Sequence, residues 1–121
     1  MKTNRQIDST REEGLRSRPP GVMATRRQAG AETVIEITGV LDAMTLGSVA
    51  ATLQALAEEE VLRVSFDLSR LRMVDARGLG AVATAARRLR ERGAAVQVHG
   101  LGGQPAMLHR VMRLQALLPA P

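Results

Sequence analysis

The chain contains no cysteine, tryptophan or tyrosine, and Phe66 is its one phenylalanine. Without cysteine there is no disulfide framework, no thiolate nucleophile and no cysteine-based zinc site. This fits a reducing cytoplasm, the expected location. Without aromatic residues no stacking platform for single-stranded nucleic acid can be built, and the core must come from Leu, Val, Ala, Met and Ile. No apolar run approaches the roughly 20 residues that a membrane span needs, so no direct membrane insertion is expected. The N-terminus is charged from the start and lacks the apolar stretch of a secretory signal. The 121 residues leave room for one domain with a modest core, plus a tail.

The formal charge of +5 is unevenly distributed. Residues 1–30 hold Lys2, Arg5, Arg11, Arg16, Arg18, Arg26 and Arg27 against Asp8, Glu12 and Glu13, a net +4. The rest of the chain sets ten arginines against nine acids, a net +1. The basicity therefore belongs mostly to the tail, and no nucleic-acid partner is expected of the near-neutral remainder. Residues 1–21 read as a disordered basic tail, because their mixed charge, Pro and Gly cannot offset the entropy of ordering. Either Met1 or Met23 is compatible with being the start.

Beyond the tail, Val22–Gln28 reads as a weak edge strand and Thr33–Thr38 as a β-branched strand. Gly39-Val40-Leu41-Asp42 then turns the chain, and Asp42 or Thr45 caps a helix with Leu46, Val49, Leu53 and Leu56 on one stripe. Glu58, Glu59 and Glu60 close this helix as a solvated acidic end, opposing its dipole. Val61–Leu68 reads as a buried strand. A second helix opens near Gly78 with Leu79, Val82, Ala86 and Leu89 inward and Arg87, Arg88, Arg90 and Arg92 on the other face, and Gly93 stops it. Ala94–His99 follows as a strand. This strand–helix–strand sequence predicts a parallel pair with a right-handed crossover. A third helix carries Leu108, Val111 and Met112. The domain is expected over 22–118, with 119–121 as a short C-terminal tail.

Catalytic signals are weak. His99 and His109 have no serine or acid at a spacing that forces a triad, so both read as structural or exposed. Asp42, Asp67 and Asp75 stand where turns and caps use aspartate, and no metal site is expected of them. Gly100-Leu101-Gly102-Gly103 lacks the spacing of a phosphate-binding loop, so it reads as a flexible turn and no cofactor is expected. Arg70, Arg72 and Arg77 form either a basic patch or a set of solvated side chains. Arg77 resists the bland account, because a cation in the first turn of a helix opposes the dipole, although its long stem can carry the charge away.

Gly39-Val40-Leu41-Asp42, Asp67-Leu68-Ser69, Val74-Asp75 with Gly78-Leu79, and Gly93 before a strand form an ordered set. Together they resemble the STAS domain family, from about residue 22 to 118. That family includes anti-sigma-factor antagonists, stressosome scaffolds, cytoplasmic tails of sulfate transporters and a small subunit of lipid-transport ABC systems. The resemblance implies an α/β fold with a mixed four- to five-stranded sheet, helices mainly on one face and no enzymatic activity. Gly39, Asp42, Asp67, Ser69, Asp75, Gly78 and Gly93 would be its structural motif residues.

In the antagonists the corresponding motif resembles Asp-Ser-Ser-Gly or Asp-Ser-Thr-Gly. The hydroxyl residue before the glycine takes phosphate from the anti-sigma-factor kinase, which breaks the complex. Here that position is Arg77 and its neighbour is Ala76, so the usual phosphoacceptor is missing. Ala116 stands where many members have glycine, and the compact ending Leu114 to Pro119 looks more like the lipid-transport subunits. The resemblance implies a non-enzymatic interaction module that regulates an anti-sigma factor or serine kinase. The alternative is the STAS subunit of a phospholipid-transport ABC complex that binds its ATPase. A nucleotide- or lipid-binding STAS protein ranks below both, because no pocket residues support it. The expected partner surface is Asp75, Ala76, Arg77, Gly78 and Leu79 with the exposed side of the following helix. Asp75 would be the cap, Gly78 would permit close approach, and Arg77 would contact or select the partner.

Overall fold

A computed structural model describes residues 21–121. The tail expected over 1–21 therefore lies outside the described residues, apart from Gly21. The elements run β1 (Val22–Ala29), β2 (Glu32–Leu41), α1 (Gly47–Ala57), β3 (Arg63–Asp67), β4 (Leu71–Val74), α2 (Ala76–Glu91), β5 (Ala95–His99) and α3 (Gly103–Val111). They build an α/β fold with a mixed five-stranded sheet ordered β1-β2-β3-β5, and β4 also pairs with β2. β1 is antiparallel to β2, whereas β2–β3, β2–β4 and β3–β5 are parallel. The parallel pairing of β3 with β5 agrees with the pair expected of the strands at Val61–Leu68 and Ala94–His99.

Alternation along the strands separates two faces. Ile35 pairs with Phe66 and Phe66 with Val98, while Val64 pairs with Val96. All five are buried, and Ile35, Phe66 and Val98 are fully so. With Val49, Leu53 and Leu56 of α1 and Leu79, Val82, Ala86 and Leu89 of α2 they form one core. The single aromatic sits at its centre, where full burial contributes roughly 2–3 kcal/mol. The opposite sheet face is polar, with Thr25, Glu36, Asp67 and His99 side by side in one row and Arg27, Val34, Ser65 and Gln97 in the next.

Several elements differ from the sequence expectation. Gly39-Val40-Leu41 does not turn the chain but continues β2, which changes partner from β3 to β4 with a register shift between Gly39 and Val40. Gly39 adopts φ +99°, and a Cβ there would meet the Gly21 carbonyl oxygen at 2.1 Å. Only glycine fits this crossing. Leu71–Val74, assigned no element in the expectation above, forms β4 and fills the rest of the β2 edge. The expected strand Val61–Leu68 shortens to Arg63–Asp67, and Leu62 is 77% exposed where the chain leaves the α1 end.

Helix α2 starts at Ala76, two residues before the expected glycine, and Gly93 follows its end with φ +96°. Arg90 does not join the exposed arginines. Its guanidinium donates to the Leu117 and Val96 carbonyls at 3.2 and 3.0 Å. In α3 the buried side carries Pro105 and His109, whereas Val111 is 68% exposed. The histidine Nε2 lies 2.8 Å from the Leu118 carbonyl, so this polar ring packs inward because the C-terminal turn supplies it with a partner. The Pro119 carbonyl accepts the Val98 N–H at 2.9 Å. The ordered unit thus reaches one residue past the expected boundary at 118.

The acidic end of α1 is also more than a solvated surface. Glu59 forms an ion pair with Arg26 at 2.5 Å. Their hydrogen bond lowers the Glu59 pKa and raises that of Arg26. The pair ties β1 to the end of α1.

Candidate functional site

The start of α2 is built by two aspartates on neighbouring loops. The backbone N–H of Asp75 donates to the Leu41 carbonyl at 3.1 Å, which places this residue at the end of β2. Its extended backbone lets the carboxylate turn back, and Oδ1 accepts the Gly78 N–H at 2.8 Å. Asp75 is therefore the helix cap. Its Oδ2 accepts the Ala43 N–H at 3.1 Å and holds the β2–α1 loop against the helix start.

That loop is organised by Asp42, whose Oδ1 accepts the N–H groups of Met44 and Thr45 at 2.9 and 3.0 Å. The Thr45 hydroxyl donates to the Val40 carbonyl at 2.7 Å and accepts the Asp42 N–H at 3.0 Å. These contacts cap the turn before α1, while Leu46, without a side-chain bond, occupies the cap position of the helix itself. Neither Asp42 nor Thr45 is the helix cap expected of them; both organise the turn that leads into α1.

Gly78 sets the distance between α2 and β2. A Cβ there would lie 2.6 Å from the Leu41 carbonyl oxygen and 2.8 Å from the Leu41 Cγ. The close approach it permits is internal, to β2. Gly78 and Leu79, both expected in the contact surface, are buried, and Leu79 is fully so. Asp75 is half-buried and its carboxylate is occupied by backbone donors. Ala76 and Arg77 remain exposed, with no acidic side chain in the first turn of α2. Across the loop Met44 is 92% exposed, and on β4 Met73 is half exposed.

Asp67 and Ser69 lie apart from this centre. Burial pushes the Asp67 carboxyl up, but hydrogen bonds from Ser69 outweigh it, helped by the charges of Arg27 and His99. The net shift is downward. The Ser69 N–H donates to Asp67 Oδ1 at 3.0 Å. Ser69 in turn packs against Gly100, which joins the β3–β4 loop to the loop after β5. Asp42, Asp67 and Asp75 are thus each committed to a separate turn or cap. Among the described residues no three His, Asp or Glu side chains converge as a metal site. No helix there is long and apolar enough to cross a membrane.

One contributor escaped the sequence reading. Gln104 at the start of α3 accepts the Val74 N–H at 3.0 Å and donates to the Val74 carbonyl at 2.7 Å. Its amide closes the outer edge of β4 just before Asp75. No motif marks it, and only the fold brings residues 30 apart together.

The sequence over residues 24–119 matches the family described as Mlab, STAS domain. The chain belongs to the STAS domain family. Solved structures agree. An anti-sigma factor antagonist from Mycobacterium paratuberculosis superposes with a TM-score of 0.72 at 16% identity, covering 83% of this chain and 85% of that one. The phosphorylated form of the Bacillus cell fate determinant SpoIIAA gives 0.59 at 19% identity, covering 82% and 91%. The STAS domain of an antisigma-factor antagonist from Rhodobacter sphaeroides gives 0.54 at 26% identity, covering 65% and 86%. No curated protein matches the sequence. In this STAS domain the motif Asp75 to Gly78 caps and seats α2, and its two exposed members, Ala76 and Arg77, carry no hydroxyl.

Proposed function

We propose that this STAS domain is a non-enzymatic interaction module that regulates a protein partner, in the manner of an anti-sigma-factor antagonist. The partner would be an anti-sigma factor or serine kinase. The observation that carries this reading is the rigid, exposed start of α2. Two backbone-bonded aspartates and a close-packed glycine hold it, and Ala76 and Arg77 face outward. The contact surface is Ala76 and Arg77 with the exposed side of α2. Asp75, Gly78 and Leu79 support it from beneath.

In a domain with a hydroxyl residue at the position of Arg77, phosphate would place negative charge at a helix N-terminus on the binding face. Arginine puts a fixed positive charge there and removes the acceptor. The module is accordingly not released by phosphorylation at this turn. The test is incubation with the cognate kinase and ATP, followed by mass spectrometry of residues 75–79. These residues stay unmodified, and phosphate found on them would refute the reading.

A second reading is the STAS subunit of a phospholipid-transport ABC complex that binds its ATPase. The compact C-terminal end favours it: Leu114 and Leu118 are buried, Pro119 pairs with β5, and the family match runs to residue 119. Co-purification from the native cell separates the two. An anti-sigma factor or serine kinase supports the first, and an ABC ATPase with its permease supports the second. Recovery of neither sinks both.

A further inference from the structure

Helices α1 and α2 lie side by side but do not interdigitate fully. Between them runs a hollow of about 250 Å³, lined by Leu46, Ala50, Leu53 and Ala57 of the α1 side and Ala81 and Ala85 of α2, with Gln54, Thr84 and Arg88 at its rim. Four alanines leave the space that larger side chains would fill. On α2 the lining residues 81, 84, 85 and 88 share one helical stripe, and Arg77 continues that stripe one turn toward the N-terminus, beyond the lining. Arg77 and Arg88 stand eleven residues apart, about 16 Å along the axis at the helical rise.

Arg88 is the one charged residue that lines the hollow. On α2 Arg77 and Arg88 are exposed, and among the described residues neither forms an ion pair, whereas Arg87 pairs with Glu91 at 3.9 Å. The α1 segment Gly47–Ala57 contains no charged residue; Glu58, Glu59 and Glu60 follow it, and of these Glu59 is paired with Arg26. An apolar floor with basic posts about three helical turns apart fits one kind of occupant. We propose that the groove receives an amphipathic helix of a protein partner, with its apolar stripe between α1 and α2 and acidic residues near both ends against Arg77 and Arg88. A second copy of this chain is a poor match, because the only acid within its three helices is Glu91, already paired with Arg87. The proposal rests on the reading of the domain as a partner-binding module and gives Arg77 a use that offsets its cost in a first helical turn.

The test uses the full chain and two synthetic helical peptides of four turns. Both carry leucines on one stripe. One has glutamates near its ends, eleven residues apart, and the other has lysines there. Fluorescence anisotropy should show saturable binding of the glutamate peptide, at least tenfold tighter than the lysine peptide. The Ala50→Leu/Ala81→Leu double variant fills the groove from two half-exposed positions and should lose at least tenfold. Arg88→Glu should abolish the preference between the peptides, and the Arg77→Glu/Arg88→Glu double variant should reverse it. Equal binding of both peptides, or binding indifferent to the filled groove, overturns the proposal. So does a concentration-dependent dimer abolished by the filled groove, which would make a second copy the occupant.

The native partner separates this proposal from the broader one. If Arg77→Glu abolishes its binding while the filled groove does not, the groove falls and the interaction surface stands. If the partner ignores both changes, both fall.

Discussion

The Asp75 carboxylate accepts the N–H of Ala43 at 3.1 Å while it also caps α2 through Gly78. One side chain thus ties the loop before α1 to the start of α2, and the exposed Ala76–Arg77 turn inherits its rigidity. Asp75→Ala removes both acceptors and should cost about 1–2 kcal/mol, in the range of lost helix caps. Asp75→Asn keeps one acceptor for Gly78 but turns its amide N–H₂ toward the Ala43 N–H, so it should recover only part of the loss. Urea denaturation of the three proteins measures this order.

Gly78→Ala probes the seat of the same turn. The added methyl would stand 2.6 Å from a backbone oxygen of Leu41, which cannot rotate away. Overpacking of this kind costs about 1–3 kcal/mol. The midpoint of urea unfolding should fall, and an unchanged midpoint would show that α2 shifts freely on β2.

The fold was legible where periodicity and core burial coincide, as in Leu79, Val82, Ala86 and Leu89, and in the run Val61–Leu68 at Val64, Phe66 and Leu68, though not at the exposed Leu62. It was not legible at β4, whose four residues include the exposed Arg72 and Met73. That strand exists because β2 has a free edge to pair with. Gly39 looked like a turn because glycine with positive φ is commonest there, yet it marks a change of partner inside a strand. His109 hid the inward side of α3, since its carbonyl partner lies nine residues on. At the candidate site the cap and the arginine were readable from sequence, but the alanine-lined hollow required the helices to be placed.

Acid sensitivity should centre on Asp67. Its carboxyl titrates below its usual value in the folded protein because the Ser69 hydrogen bonds outweigh burial. A carboxyl with a depressed pKa contributes stability above its unfolded pKa, and loses it as pH falls through the folded value. Wild-type stability should therefore drop as pH is lowered through and below the ordinary carboxylate range. Asp67→Asn should flatten that part of the profile in urea melts at stepped pH. An identical profile for the variant would refute the assignment.

Ser65 offers a gain in stability. Its hydroxyl is buried on the middle strand and has no hydrogen-bond partner among the described residues. Removing an unsatisfied buried polar group relieves its desolvation cost of about 1–3 kcal/mol, less the packing lost with the oxygen. Ser65→Ala should be as stable as wild type or up to about 1 kcal/mol more stable in thermal melts. A clear loss would mean that the hydroxyl has a partner.

The central claim is that the α2 start, with Arg77 fixed in place of a phosphoacceptor, is the surface a protein partner grips. The most direct measurement is the affinity of the partner recovered by co-purification for wild type and for Arg77→Glu, with circular dichroism and thermal melts confirming the same fold. The account predicts at least a tenfold loss for Arg77→Glu. Equal affinity in two equally folded proteins would contradict it.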